Sequence, residues 1–337
     1  AEASLRTSIS DSPEDPQRYL MLAEFLATKK NTELAEKELI SAIDKLPKSP
    51  ELRFTLATLY EMKNEPDKAE SVYEKLISQQ GTKPDGLRAR NKLANLLLRK
   101  GKMPEGADLV AEVLKENPRD NDALLLKGKI ALTQGRVTDA ISEFRSVLKD
   151  QPTSADVLAL LADAHLANKE PGLAKETLQK AIDANPKNAT ARLRLAEFFQ
   201  RSRDYASALK ETDKALESSP KDYRVLQLKA ELLATKQDFK GAENAIAVMK
   251  SAYPANPLGY VRMGQLYLAQ KKYGPALQEF DLALKLNPDA AEPLTGATNI
   301  LLIQNKADTA IVRLEETLKA NPNHNLANKL LGEIYLS

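Results

Sequence analysis

The chain lacks cysteine and tryptophan altogether and has only two histidines among its 337 residues. Without cysteine it can form neither disulfide bonds nor thiolate metal sites, and the compartment stays open because cytosolic and periplasmic scaffolds can both do without them. His165 and His324 stand far apart in the sequence, whereas a metal or catalytic site needs convergent ligands or a nucleophile and a base within reach. Both histidines are therefore interpreted as structural residues.

Glycine clusters and a surplus of one charge are missing as well. The glycines are single, so the sequence has no phosphate-binding loop. The 49 basic and 47 acidic residues leave a net charge of +2, which argues against nucleic acid because phosphate binding needs a strong basic excess. No apolar run approaches the roughly 18 residues of a membrane span. We predict no catalytic residue, no cofactor, no metal, no nucleic-acid ligand and no membrane insertion by this segment, and the oligomeric state stays open.

What the chain does have is a proline that returns every 34 residues. The series comprises Pro118, Pro152, Pro186, Pro220, Pro254, Pro288 and Pro322, and Pro13 and Pro47 share the spacing. A period of roughly 20 to 50 residues is typical of a solenoid, whose units are too small to bury their own apolar faces and must stack on their neighbours. Alignment on the prolines gives nine complete repeats within residues 16–324, starting at 16, 50, 87, 121, 155, 189, 223, 257 and 291.

Two short segments flank the nine repeats, and one interval between repeats is too long. Residues 1–15 are predicted to be the second helix of a truncated repeat and residues 325–337 the first helix of another, so the chain resembles a piece of a longer array. The step from Pro50 to Leu87 is 37 residues instead of 34. The extra residues lie around Gly81, in a stretch with turn chemistry, so we predict a longer loop there.

Within each repeat the apolar residues recur at helical spacing in two groups separated by a polar break, which predicts a pair of helices. We number the positions of a repeat as slots, counted from its first residue. The eighth and twentieth slots hold small residues and the twenty-fourth a larger one, as Gly264, Ala276 and Phe280 show in the repeat from 257. Small residues opposite large ones at fixed offsets are typical of helices that interdigitate.

This pattern resembles the tetratricopeptide repeat family. The residues that match the pattern of that family in the repeat from 257 are Tyr260, Met263, Gly264, Tyr267, Ala276, Phe280 and Pro288. The resemblance implies an all-α solenoid, a right-handed superhelix of antiparallel helix pairs whose first helices line a concave groove. Lys127 and Lys229 depart from it, because the seventh slot is usually apolar. We expect those two helices to be slightly rotated.

By the same resemblance, the chain is a non-catalytic scaffold that binds a peptide or a partner protein in the concave groove, which the second, fifth, ninth, twelfth and thirteenth slots should face. In the repeat from 87 these slots include Arg88, Asn91, Asn95 and Arg99, on a helix with further basic residues. Such a polar and basic floor suits an acidic peptide or a C-terminal carboxylate. The alternative interpretation is an ordinary solvated helix face.

The groove of the last repeats has an apolar character. Its candidate partner-binding residues are Leu258, Val261, Leu268, Leu302 and Ile303, with Gln265 in the ninth slot beside them. An exposed apolar strip is typical of a binding site. The alternative is that a neighbouring helix partly covers this strip.

The alanine-rich units and their Asn-Pro or Ser-Pro endings are similar to long bacterial arrays of this family, such as periplasmic or lipoprotein scaffolds of exopolysaccharide secretion and of exosortase (PEP-CTERM) systems. That similarity favours a place in a bacterial envelope or secretion assembly, although the localisation itself is not determined. Two alternatives stay open. The chain could be a regulatory part of a larger enzyme or transporter, or a spacer that holds other domains apart.

Overall fold

The computed structural model describes residues 1–29 and 31–336, and these residues form twenty α-helices and no strand. Lys30 and Ser337, the last residue of the predicted segment 325–337, lie outside the described residues. The chain divides into two compact units, Ala1–Ala174 and Lys175–Ser337. None of the described helices is long and apolar enough to cross a membrane.

The helices have nearly uniform lengths and follow one another in pairs. In the first unit they are α1 (Glu2–Asp11), α2 (Pro16–Thr28), α3 (Thr32–Lys45), α4 (Pro50–Met62), α5 (Pro66–Gln80), α6 (Pro84–Arg99), α7 (Met103–Glu116), α8 (Asn121–Thr133), α9 (Val137–Asp150) and α10 (Ala155–Ala167). Helix α11 (Pro171–Ala184) contains the division between the units. The second unit continues with α12 (Ala189–Arg201), α13 (Tyr205–Ser218), α14 (Tyr223–Thr235), α15 (Phe239–Ala252), α16 (Pro257–Ala269), α17 (Tyr273–Leu286), α18 (Ala291–Ile303), α19 (Ala307–Ala320) and α20 (Asn325–Leu336).

A left-handed residue closes the tight turn between the two helices of a repeat. In the eight repeats from 50 onward, φ is positive two residues after the first helix ends, for example +58° at Asn64 and +76° at Gly101. Six of these residues are not glycine, and each costs about 1 kcal/mol or more of backbone strain. The residues in this position are Asn64, Gly101, Gly135, Lys169, Arg203, Gln237, Lys271 and Asn305. In the repeats from 50, 87, 121, 189, 223, 257 and 291 this turn has three residues, and the two helices that it joins pack against each other.

Small and large residues interdigitate beneath these helices, as the sequence pattern predicts. Phe280 is 1% exposed and lies between α16 and α18. A Cβ atom added to Gly264 or to Gly296 would lie 2.6 Å from its ring, which is closer than carbon atoms can approach without displacement. The glycine in the eighth slot is therefore required by the phenylalanine in the twenty-fourth.

The predicted long loop near Gly81 is wrong. Helix α5 ends at Gln80 and is followed by its C-cap residue Gly81, whose φ is +58°. Helix α6 then begins at Pro84 and has 16 residues, whereas α2, α4 and α8 have 13. The extra residues thus mainly lengthen α6. Proline at the first helical position already has a helical φ, and the negative charge of Asp85 in the first turn interacts favourably with the positive end of the helix dipole.

Candidate functional site

A cavity of about 480 Å³ lies between α2 and α4, with α3 at its base, and we call it the first cavity. Its lining residues are Leu20, Ala23, Glu24, Ala27, Thr28, Ala35, Leu39, Thr55, Thr58, Leu59 and Met62. Glu24 is the one charged side chain among them. Leu20 and Met62 occupy the fifth and thirteenth slots, which the family resemblance expects to face the groove. Sequence reasoning overlooked this apolar surface, although those two slots were a signal for it.

The sequence explains why the first cavity is open and apolar. Ala23 and Ala27 place small side chains on α2, and Leu39 from α3 is 1% exposed at the base. On α4 the hydroxyl groups of Thr55 and Thr58 donate to backbone oxygens of their own helix, each at 3.0 Å. The threonines therefore add no unsatisfied polar group to the wall. Met62 is 69% exposed at the rim.

A second cavity, of about 170 Å³, lies between α14 and α16 in the other unit. Its lining residues are Gln227, Ala230, Glu231, Ala234, Ile246, Met249, Arg262, Gln265, Leu266 and Ala269. The polar side chains of this lining form hydrogen bonds with one another in two pairs. Gln227 donates to Glu231 at 2.9 Å, and Arg262 donates to Gln265 at 2.8 Å. The second cavity is smaller than the first and has two charged side chains in its lining, Glu231 and Arg262, where the first has Glu24 alone. Both cavities lie between the first helices of consecutive repeats.

A third cavity, of about 160 Å³, lies between α6 and α8 and contains two of the residues predicted from the repeat at 87. Asn91 is 5% exposed and its amide nitrogen donates to Asp120 at 2.9 Å. Asp120 also caps α8 by accepting from the backbone of Ala123 at 2.9 Å. Asn95 is half-buried in the same wall. Asn91 therefore joins consecutive repeats, and its amide nitrogen is already used.

The predicted basic floor of that groove is largely neutralised by the preceding repeat. Arg88 forms an ion pair with Glu51 at 2.7 Å and lies over the ring of Phe54. Arg99 pairs with Glu61. Both acids belong to α4, whereas the prediction considered only the charges on α6 itself. The basic charge of α6 is thus shared with α4, and partner binding by Arg88 and Arg99 stays a prediction.

The predicted apolar strip of the last repeats is broken at its centre. Val261 is 3% exposed and packs with Phe280 and Ile300, so it is a core residue and is not available to a partner. This corrects the prediction, which placed Val261 on the groove surface because its slot usually faces outward. Leu302 and Ile303 are exposed, by 37% and 55%.

The other strip residues are less accessible or serve a different cavity. Leu258 and Leu268 are half-buried. Gln265 is exposed, lines the second cavity and donates to Glu292 at 3.3 Å. Among the candidate residues named for this strip, the apolar ones that are exposed are therefore Leu302 and Ile303 on α18.

The two histidines are buried in separate structural roles. His165 is 2% exposed, and its Nδ1 lies 2.6 Å from a carboxylate oxygen of Glu170. This hydrogen bond lowers the pKa of Glu170. His324 Nδ1 accepts from the backbone N–H of Ala327 at 3.2 Å and so caps α20. Within residues 1–29 and 31–336, no group of three or more acidic or histidine side chains could hold a metal ion.

Fold and surface together define an all-helical repeat solenoid in which the first, second and third cavities lie between the first helices of consecutive repeats. Profiles described as tetratricopeptide repeat match residues 54–114 and 91–155, residues 131–180 and 166–232, and residues 259–290. The chain belongs to the tetratricopeptide repeat family. Repeats of this kind indicate a protein-interaction scaffold, and the fold is generally not catalytic.

Solved structures with a similar fold come from unrelated organisms. A tetratricopeptide repeat protein from Parabacteroides merdae has 16% identity and a TM-score of 0.55, over 75% of this chain and 98% of that one. Human IFIT1, solved as a dimer with m7Gppp-AAAA, has 14% identity and a TM-score of 0.56, over 95% of this chain and 81% of that one. At such identities the likeness shows the fold alone. No curated protein matches the chain.

Proposed function

We propose that this scaffold binds a peptide segment of a partner protein in the first cavity, between α2 and α4. The observation that carries the proposal is an open, mostly apolar cavity of about 480 Å³. That volume is within the range of roughly 300 to 1,000 Å³ typical of ligand pockets, whereas the second cavity, at about 170 Å³, is below it. A bacterial envelope or secretion assembly, expected from the style of the repeats, remains part of this proposal.

Burial of an apolar side chain supplies the binding energy. A leucine or phenylalanine that moves from water into an apolar site gains about 1.5–3 kcal/mol. Few residues dominate the affinity of most interfaces, and they lie in well-packed pockets that exclude water. Met62 at the rim is unbranched and flexible, so it can adapt to side chains of different shape. One or two bulky apolar residues of a partner would therefore anchor it here.

The test is to fill the cavity. Ala27 and Ala234 occupy the same twelfth slot in the first and second cavities, and both are half-buried. Peptides are selected from a phage-displayed random library on the wild-type protein, and their Kd values are measured by fluorescence polarisation. We expect Ala27→Phe to weaken the selected peptides by about 30-fold, equivalent to roughly 2 kcal/mol, and Ala234→Phe to leave them unchanged.

Circular dichroism checks that both variants fold. If Ala27→Phe is poorly folded, Thr58→Arg blocks the same cavity from an exposed position on α4. Peptides that bind every folded blocking variant as tightly as the wild type would exclude the first cavity as the binding site.

A further inference from the structure

Most of the charged side chains on the two helices of the first cavity have a hydrogen-bond or ion-pair partner. Helices α2 and α4 carry five charged side chains between them. Within the described residues, Glu24 is the one for which no hydrogen bond or ion pair is found, and it is also the one that lines the cavity. The other four are bound as follows: Arg18 to Asp15 at 3.2 Å, Glu51 to Arg88 at 2.7 Å, Arg53 to the backbone oxygen of Pro47 at 2.7 Å, and Glu61 to Tyr73 at 2.7 Å.

In the second cavity, the carboxylate in the corresponding slot has a hydrogen-bond donor and lies in the same lining as a cationic side chain. Glu231 occupies the ninth slot of α14, as Glu24 does in α2. It accepts a hydrogen bond from Gln227 at 2.9 Å, and the cationic Arg262 lines the same cavity. In the first cavity the corresponding residues are Leu20 and Thr55, which offer neither a donor nor a positive charge to Glu24.

We propose that the first cavity recognises a segment with a bulky apolar residue and a lysine or arginine within about one helical turn of it, and that Glu24 binds the basic group. This inference rests on the proposed function, because it requires the apolar anchor to occupy the cavity. The negative charge of the lining has no counterion among the described residues, so a cationic group of the partner completes it. An acidic segment would instead place like charges together.

Glu24 is exposed, so its contribution depends on salt. An exposed ion pair adds modest affinity, but exchange of the cation for an anion removes the attraction and adds repulsion, so the charge acts mainly on specificity. We expect a lysine-to-glutamate exchange in a selected peptide to weaken binding by about tenfold at low ionic strength. The difference should narrow as salt is added, because exposed charges are screened.

The experiment repeats the peptide selection on the wild type, on Glu24→Gln and on Glu24→Lys, with Glu231→Lys as the matched control in the second cavity. Peptides from the wild type should be enriched in lysine or arginine beside the apolar anchor. The enrichment should disappear with Glu24→Gln, turn to aspartate or glutamate with Glu24→Lys, and persist with Glu231→Lys. In a charge-swap pair, Glu24→Lys should restore the affinity of the glutamate peptide.

Two different failures can be told apart. If Ala27→Phe abolishes binding but the charge exchange changes Kd by less than twofold at low ionic strength, the cavity binds apolar segments without regard to charge and this inference is wrong. If Ala27→Phe has no effect on any selected peptide, the proposed function fails and the inference fails with it. Glu24 is exposed and outside the core, so its variants should keep the wild-type circular dichroism.

Discussion

The first and second cavities have similar apolar bases and different walls. Leu39 and Ile246 occupy the twenty-fourth slot beneath the two cavities and are 1% and 3% exposed. The alanines in the eighth and twelfth slots are also common to both. On the walls, however, Leu20 corresponds to Gln227 and Thr55 corresponds to Arg262. The residues that hold the helices together are thus apolar or small in both cavities, whereas those on the walls differ in polarity and charge.

The two cavities also differ in volume, at about 480 and about 170 Å³, and their wall residues differ in length. Arg262 and Gln265 are longer than the threonines in the corresponding slots, and they form a hydrogen bond with each other along α16 at 2.8 Å. Arg262 also lies 3.5 Å from Glu292 in the next repeat. A repeat scaffold can therefore close one site and open another with a few substitutions on exposed helix faces, because these faces contribute little to stability.

The largest expected effect is the loss of the shared base. Leu39→Ala and Ile246→Ala should each lower the free energy of unfolding by about 2–5 kcal/mol, because each leaves a void among buried side chains. Urea denaturation followed by circular dichroism measures the loss. Thr58→Ala, at an exposed wall position, is the control and should cost less than about 0.5 kcal/mol. A base substitution as mild as the control would mean that the two bases are not equivalent core positions.

The next largest effect is on peptide affinity, when the wall residues of the two cavities are exchanged. Thr55→Arg together with Thr58→Gln gives the first cavity the wall of the second, and should weaken the selected peptides by about 30-fold. The reverse change, Arg262→Thr with Gln265→Thr, should open the second cavity and create binding of the same peptides. Fluorescence polarisation measures both. If the exchanged walls leave both affinities unchanged, side chains elsewhere in the groove determine binding.

Most of the fold could be predicted from the sequence, because the same pattern of small and large residues recurs in successive repeats. The periodic prolines locate the helix pairs, and the small and large slots, such as Gly264 and Phe280, predict the contact that the structure shows. The exception is the stretch after Gly81. There turn residues suggested a loop, but Pro84 and Asp85 begin a longer helix.

The candidate site was less predictable, because it depends on neighbours in space. From the sequence of residues 87–100 alone, Arg88 and Arg99 have no acidic partner. Their partners Glu51 and Glu61 are 37 and 38 residues away in the sequence. Val261 has a groove slot but is buried by α17 and α18. The first cavity is lined by small alanines and threonines. A search of the sequence for charged or bulky groove residues does not detect these side chains.

A third, smaller effect concerns the seventh slot, which is Leu22 in α2 and Lys229 in α14. Leu22 is fully buried. Lys229 instead reaches Asp213 at 2.7 Å, and a cavity of about 420 Å³ lies beside it, lined in part by Leu226 and Leu233. Because an exposed ion pair contributes only about 0–1 kcal/mol, Lys229→Leu should raise the free energy of unfolding by about 1 kcal/mol as leucine packs into this space.

Thermal denaturation of Lys229→Leu tests this expectation. Lys210→Leu is the matched control, since Lys210 is exposed on α13 in the same unit, and it should leave stability nearly unchanged. A lower transition temperature for Lys229→Leu than for the wild type would show that the ion pair with Asp213 outweighs the packing gained. The predicted rotation of the helices that carry Lys127 and Lys229 stays a prediction.

The smallest expected difference concerns the acid in the twenty-first slot, Glu36 in one unit and Glu243 in the other. Each accepts a hydrogen bond from a tyrosine of the next repeat, at 3.1 Å from Tyr60 and at 2.6 Å from Tyr267. The bond from Glu243 and burial raise the pKa of Tyr267 to about 12. A raised tyrosine pKa stabilises the fold below its ordinary value near 10, and this contribution is lost as pH rises through about 12.

Of these two acids, Glu36 also accepts a hydrogen bond from a lysine, Lys63. The slot of Lys63 holds Gln270 in the other unit. The hydrogen bond from Lys63 lowers the pKa of Glu36. A lowered carboxylate pKa stabilises the fold above the unfolded value, near about 4.3, and the contribution is lost as pH falls through the folded value. Lys63→Gln copies the second unit, so its urea midpoint should be below that of the wild type at pH 7 and should converge with it in acid. A difference that persists unchanged in acid, once Glu36 is protonated in the folded as well as the unfolded state, would contradict the assignment of this effect to Glu36.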